Sequence, residues 1–307
     1  MATPSDTAPR RVLVTGLEGF TGRYVAAQLR GAGYEVCGLA HAASPSGAGQ
    51  HAAVDLLDAA AVQDAVAQIR PQAVIHLAAI AFVAHGDVEA IYRTNIVGTR
   101  NLLAGLAELP VPPSAVVLAS SANVYGNARG CEGLLDESTP AAPANDYEVS
   151  KLAMEYVART WAARLPLVVT RPFNYTGVGQ GSSFLIPKIV EHFRRGERRI
   201  ELGNLDVWRE FMDVRAVAWV YRRLLETRSA SDTFNVCTGA SYSLREVLET
   251  MAQIAGYSIQ VRVNPAFVRV NEVRRLAGNP ACLQARVGEL PHYALTQTLH
   301  WMYHDNA

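Results

Sequence analysis

Arg11-Val12-Leu13-Val14-Thr15-Gly16-Leu17-Glu18-Gly19-Phe20-Thr21-Gly22 is the stretch that decides the fold. After the arginine, the next residues are β-branched or apolar, the pattern of a buried strand. Gly16, Gly19 and Gly22 then bend the chain. An amphipathic helix is expected from about Arg23 to Arg30, where Gly31-Ala32-Gly33 stops it. Tyr34 to Leu39 reads as a second strand. A strand, a glycine turn, a helix and a strand within about 30 residues suit a pyrophosphate. The glycines let the backbone approach it, and the helix N-terminus offers free N–H groups and a positive dipole end.

Working outward, the alternation continues. A short third strand precedes Asp55, and Asp58 to Ile69 reads as a helix. Ala73 to Leu77 is a strand ending in the small residues Ala78 and Ala79. A long helix is expected over Ala90–Leu109, with Asn95 in its first half. Pro110, Pro112 and Pro113 punctuate, and the strand Ala115–Ala119 delivers Ser120 and Ser121. Strands alternating with helices imply a parallel sheet covered on both faces, with ligands beyond the carboxyl ends of the strands. Gly16, Ala78 and Ser121 all fall at such ends. Further on, Tyr147 to Ala163 reads as a helix and Leu167 to Thr170 as a strand. Glycine density rises at Gly177, Gly179 and Gly181, so a second lobe is expected from about Tyr175. There Leu185–Arg195, Asp213–Leu225, Leu244–Ala255 and Leu295–Tyr303 read as helices, and Arg199–Leu202, Thr233–Val236 and Ile259–Val263 as strands.

Composition bounds the function. The 307 residues are half hydrophobic, enough for two lobes with real cores. Lys plus Arg and Asp plus Glu are 28 each, which argues against bulk binding of nucleic acid or anionic membrane. Cys37, Cys131, Cys237 and Cys282 are scattered, which fits neither a zinc site nor a disulfide framework. Reduced cysteines, a polar N-terminus and no long apolar run lead us to expect a cytoplasmic protein that does not span a membrane.

Tyr147-Glu148-Val149-Ser150-Lys151 carries the chemistry. A Tyr and a Lys four apart on a helix share one face. A phenol ionises near ~10, and a neighbouring ammonium favours the phenolate. The pair makes sense as an acid/base group whose tyrosine pKa is lowered by Lys151. At the end of the second strand stands Ala40, where a carboxylate would repel a 2′-phosphate. NADP is therefore permitted, with Arg23 and His41 the nearest candidates for a phosphate contact.

The pieces Gly16-x-x-Gly19-x-x-Gly22, Asp55-Leu56, His76-Leu77-Ala78-Ala79, Asn95, Ser120-Ser121-x-x-Val124-Tyr125-Gly126, Tyr147-x-x-x-Lys151 and Arg171-Pro172-Phe173-Asn174 span nearly the whole chain. On these residues the chain resembles the extended short-chain dehydrogenase/reductases, the NAD-dependent epimerase/dehydratase family, which act on nucleotide-sugars. The resemblance implies a Rossmann-type doubly wound parallel sheet over residues 1–174, rejoined by segments near 210–243. A smaller α/β lobe over 175–307 would bind the nucleotide-sugar. It implies NADPH or NADH, with NADP modestly preferred, held by Gly16, Gly19, Phe20, Thr21, Gly22, His41, Asp55, Leu56, Leu77, Ala78, Ala79, Asn95 and Pro172. Asp55 would meet the adenine ring and Lys151 the nicotinamide ribose. Ser121, Tyr147 and Lys151 would be catalytic: Ser121 hydrogen-bonds the C4 oxygen of the sugar and Tyr147 exchanges a proton with it. Asn123, Asn174, Ser183, Lys188, Arg209, Arg269 and Glu272 would face the substrate, with Asn174, Arg209 and Arg269 at its diphosphate. No metal is implied. A homodimer through the Ala90–Leu109 and Tyr147–Ala163 helices, packed as a four-helix bundle, is implied too, and Met154, Val157 and Trp161 look like its apolar stripe.

Within the family, 4,6-dehydratases resemble one another in carrying a carboxylate just after the active-site hydroxyl. Here Ala122 and Asn123 stand there, and an amide cannot serve as that base. Gly203-Asn204-Leu205-Asp206 and Arg209-Glu210-Phe211-x-Asp213-Val214 look most like the branch that reduces GDP-4-keto-6-deoxy-mannose, which makes guanine the expected base. The reading is therefore reduction of a C4 ketone to a GDP-D-rhamnose-type product. A 4-epimerase is the alternative; a dehydratase or a non-catalytic dinucleotide sensor fits less well.

Overall fold

The sheet grows from β1, Arg11–Thr15, in a computed structural model that describes residues 10–40, 51–81, 87–126, 133–227, 232–268 and 274–305. Val12, Leu13 and Val14 are wholly buried, as a strand covered on both faces requires. β1 pairs in parallel with β2 (Glu35–Ala40) on one side and β4 (Ala73–His76) on the other. Beyond β2 lies β3 (His51–Ala53). Beyond β4 come β5 (Val116–Ala119), β6 (Leu167–Pro172) and the strand Asp232–Val236. The chain winds outward from β1 to β3, then returns to β4 and winds the other way. This is the doubly wound order expected from the alternation.

Helices form where the local sequence permits. α1 (Phe20–Gly31) starts directly from Gly19. α2 (Ala59–Ile69) begins at Asp58, whose carboxylate accepts the Ala60 and Ala61 N–H groups at 3.1 and 3.0 Å. The long helix expected over Ala90–Leu109 is interrupted. α3 (Val88–Tyr92) passes into a π-helical segment, Arg93–Gly98, before α4 (Thr99–Ala107).

α5 (Asp146–Arg159) is shorter than expected at its C-terminus. There the N–H groups of Thr160, Trp161 and Ala162 reach back only three residues, tightening and ending the helix. Of the stripe expected to face a partner, Met154 and Trp161 are corrected, while Val157 is half-buried. Met154 is 1% exposed within a core cluster that includes Leu13, Val66, Leu102 and Leu167, and Trp161 packs against the same cluster. Large apolar side chains left exposed on these helices are Val88, Val97, Val149 and Tyr156.

The chain divides into two compact units, residues 1–119, 153–169 and 221–232 in one and 120–152, 170–220 and 233–307 in the other. The second has its own core, built from Ile189, Phe193, Ile200, Val247, Met251 and Leu299. It also holds a three-stranded sheet in which Trp208–Arg209 lies between Tyr242–Ser243 and Arg275–Leu276. No helix among the described residues is long and apolar enough to cross a membrane.

Candidate active site

In the first unit the glycine turn is shaped by what cannot fit. Gly16 has φ +70°, and a Cβ there would stand 2.9 Å from Ala78 N. A Cβ on Gly22 would stand 2.1 Å from Gly16 O, so α1 meets the turn at a distance that glycine permits. The first turn of α1 carries no acidic residue and no side-chain cap, which leaves its N-terminal end suited to an anion. Leu77, Ala78 and Ala79 are half-buried beside it. Asp55 is exposed, its Oδ1 accepting the Leu57 N–H at 2.9 Å, and Asn101 Nδ2 donates to Leu56 O at 2.9 Å. These features fit a dinucleotide: a cradle without side chains, a helix end for phosphates and an exposed carboxylate beyond. Phe20 and Thr21 open α1, and Arg23 is exposed on its first turn. His41 lies outside the described residues, as do Arg269 and Glu272. Asn95 is 1% exposed; its amide accepts the Ile80 N–H at 2.9 Å and donates to Ile80 O at 3.2 Å. Both of these bonds are to backbone.

In the second unit Ser121, Tyr147 and Lys151 are all buried. Ser121 caps the start of the short helical turn Ala122–Tyr125 that follows β5, and its Oγ accepts the Asn123 N–H at 3.1 Å. Tyr147 opens α5, set in place where Asn145 Oδ1 accepts the Glu148 N–H at 3.0 Å and Glu148 accepts the Ala144 N–H at 2.6 Å. The Tyr147 phenol is hydrogen-bonded to Ser121. Burial pushes its pKa up to about 12; the Ser121 hydrogen bond pulls the other way, and Tyr175 and Glu148 push it further up. The sequence suggested a lowered value. Desolvation of a side chain only 7% exposed outweighs what favours the phenolate. At neutral pH the group is therefore a neutral phenol.

The description of the NAD dependent epimerase/dehydratase family matches residues 12–237. The chain belongs to this family. It is 33% identical to the GDP-6-deoxy-D-talose 4-dehydrogenase of Aggregatibacter actinomycetemcomitans over 89% of this chain and 90% of that one. It is also 33% identical to the GDP-6-deoxy-D-mannose reductase of Pseudomonas aeruginosa, over 96% of this chain and 97% of that one. Among solved structures, RMD from Pseudomonas aeruginosa in complex with NADPH superposes with TM-score 0.84 at 32% identity, covering 96% and 97%. A Burkholderia cenocepacia J2315 protein, provisionally called an epimerase, superposes with TM-score 0.90 at 53% identity, covering 96% and 97%.

The other positions that the family pattern marks are scattered through the second unit. Pro172 and Asn174 are half-buried on either side of buried Phe173. Ser183 is exposed ahead of the helix Leu185–Arg194. On that helix Lys188 donates to Glu201 O at 2.8 Å and lies 4.7 Å above the Phe267 ring. In the Gly203–Asp206 turn, Asn204 Oδ1 accepts the Asp206 N–H and Asp206 pairs with Arg245, so these polar groups brace the turn. Arg209 donates to Trp208 O at 2.9 Å.

Two residues escaped the sequence reading. Tyr175, next to Asn174, comes close enough to Tyr147 to raise its pKa. Glu210 is wholly buried and accepts the Thr238 and Gly278 N–H groups at 2.7 and 2.6 Å, which ties three segments together beside Arg209. Burial pushes its carboxyl above the usual range, against the pull of those hydrogen bonds. Its place inside the quoted Arg209-Glu210-Phe211 motif was the available signal. Tyr125 donates to Asn235 Oδ1 at 2.7 Å and accepts from Arg171 at 3.1 Å, which makes it part of the framework.

Proposed function

We propose that this chain reduces the C4 ketone of a GDP-linked 4-keto-6-deoxy-hexose with NADPH or NADH. The observation that carries the reading is the buried Ser121–Tyr147 pair, with the phenol held protonated and Ser121 followed by Ala122 and Asn123 rather than a carboxylate. Two relatives that act on GDP-6-deoxy-sugars across most of their length support it. The reduced nicotinamide, when bound, supplies the hydride. Tyr147 donates its phenolic proton to the oxygen at C4, and Ser121 hydrogen-bonds that oxygen as charge develops on it. Lys151 holds the ribose. Asn174, Arg209 and Arg269 hold the diphosphate, so binding energy away from C4 is used to orient the sugar. The nucleotide-sugar lobe runs from about residue 175 onward.

The two relatives' 6-deoxy-mannose and 6-deoxy-talose differ in configuration at C4. We favour the D-mannose configuration, that of GDP-D-rhamnose, in line with the relative that matches more of the chain. The guanine preference rests on those relatives, since Asn204 and Asp206 serve their own turn. The protein is read as a cytoplasmic homodimer, paired through the helices that expose Val97, Val149 and Tyr156.

The test is incubation with GDP-4-keto-6-deoxy-mannose and reduced cofactor. Stoichiometric loss of cofactor absorbance is expected, with proton couplings in the product reporting C4. The provisional name of the Burkholderia cenocepacia neighbour favours a second reading, 4-epimerisation. In that case sugar interconverts while no cofactor is consumed. Titration with GDP, UDP and dTDP tests the base, and equal affinities would remove guanine from the proposal.

A further inference from the structure

The first unit contains a buried run of polar groups that takes no part in the chemistry above. β1 and β4 end side by side, Thr15 opposite His76. Thr15, His76, Asn95 and Thr99 are exposed by 3% or less. Thr15 Oγ1 lies 2.6 Å from His76 Nδ1, and His76 Nε2 lies 2.9 Å from Thr99 Oγ1.

The partners at the two ends set the direction of every proton between them. The Thr99 hydroxyl donates to Asn95 O at 2.7 Å, and a carbonyl can only accept. Thr99 Oγ1 therefore accepts from His76, whose proton must sit on Nε2. Thr15 Oγ1 accepts the Ala78 N–H at 3.2 Å and spends its own proton on His76 Nδ1. An imidazolium would carry a second donor on Nδ1, and the Thr15 proton would then lose its acceptor in the core. Asn95 closes the circuit through the backbone of Ile80. It begins at Ala78 and returns at Ile80, and so brackets Ala79. The π-helical bulge Arg93–Gly98 contains Asn95 and leads directly into Thr99, and such bulges mark functional positions in helices.

We propose that His76 is a positioning residue. Fixed as the neutral Nε2–H tautomer, it holds the Ala78–Ile80 strip against Gly16 at the spacing the dinucleotide needs. The proposal rests on reading Gly16–Gly22 and Ala78–Ala79 as the dinucleotide cradle.

Thr99→Val keeps the shape of the side chain but removes both the acceptor for His76 and the donor to Asn95. The KM for NAD(P)H should rise about tenfold, the scale of one buried hydrogen bond. At saturating cofactor, kcat and the KM for the nucleotide-sugar should stay within about twofold, and Thr99→Ser should restore the cofactor KM. A folded Thr99→Val protein with a lowered thermal midpoint but unchanged cofactor KM makes the network merely structural and overturns the proposal.

Nitrogen-15 spectra of histidine-labelled wild-type protein, with the signal assigned through His76→Gln, give a second measurement on the intact fold. Protonated Nε2 and bare Nδ1 are expected at neutral pH; the opposite tautomer or an imidazolium overturns the proposal. Wild-type protein that binds no NAD(P)H overturns the cradle reading and the proposal with it. Unchanged cofactor affinity in Thr99→Val overturns the proposal alone.

Discussion

The glycine turn of the first unit is defined by what its residues lack, whereas Ser121, Tyr147 and Lys151 of the second are defined by what they carry. Gly16 and Gly22 leave no room for a Cβ, and the helix end that follows has no side-chain cap and no acidic residue in its first turn. The turn and its helix are close neighbours in sequence; the Ala78 strip and Asp55 come from further along the chain. The second site takes a hydroxyl from the end of a strand and a phenol and an ammonium from a helix, with Tyr175 arriving from a third segment. Its reactivity depends on desolvation, which no single segment supplies. A backbone site is therefore sensitive to added volume, and a side-chain site to lost function.

Removing the phenol should have the largest effect. Tyr147→Phe should lower turnover by about 10²–10⁴-fold while NAD(P)H titrations stay close to wild type. A variant that keeps half its rate would break the distinction, since the side-chain site would then not need its side chain.

Adding volume tests the other half. Gly22→Ala puts a methyl group against backbone that cannot yield, and should cost about 1–3 kcal/mol of stability together with most NAD(P)H affinity. Gly31→Ala, with nothing within 4 Å of its new Cβ, is the control and should leave both unchanged or slightly improved. Equal behaviour of the two variants in thermal melts and cofactor titrations would argue against a cradle defined by close approach.

The pH profile sharpens the contrast further. With its pKa pushed up to about 12, Tyr147 is protonated throughout the neutral range. As a proton donor it is in its active form there, so kcat/KM for reduction should be flat from about pH 6 to about pH 9. The reverse oxidation needs the phenolate, whose fraction rises with pH over the same range, so that rate should climb. A fall in reduction between about pH 7 and about pH 8 would mean that the bound complex lowers the phenol's pKa, as the Tyr–Lys spacing alone suggested.

Cofactor choice should show the smallest difference. Ala40 ends β2 without a carboxylate, so NADPH should be favoured over NADH by only about 1–2 kcal/mol in kcat/KM, the scale of one charge-assisted hydrogen bond. A strict requirement for NADH would contradict this.

Much of the fold was legible in advance because strand and helix periods are local properties. β1 was placed from Val12-Leu13-Val14, and α1, α2 and α5 from their apolar faces and stop signals, each to within a few residues. The helix Ala281–Val287 and the two-residue strands were not, since elements so short carry too few repeats to show a period. That the helix breaks as a π-helical segment at Asn95 was not legible in detail, because it goes with partners at Ile80 and His76 that lie elsewhere in the chain. Met154 was misassigned to an outer face because an apolar residue on a helix does not announce which apolar surface it meets.

By itself, the sequence determined the doubly wound sheet, the glycine turn after β1 and the four-residue spacing of Tyr147 and Lys151. These follow from side-chain alternation, from steric demands on neighbouring residues and from helix pitch, all of which act over a few residues. Tertiary structure decided that the Tyr147 phenol stays protonated at neutral pH, that Asn95 grips backbone and that Met154 faces inward. Those outcomes depend on how much water is removed and on which donors and acceptors arrive from elsewhere in the chain, and only the folded arrangement brings them together.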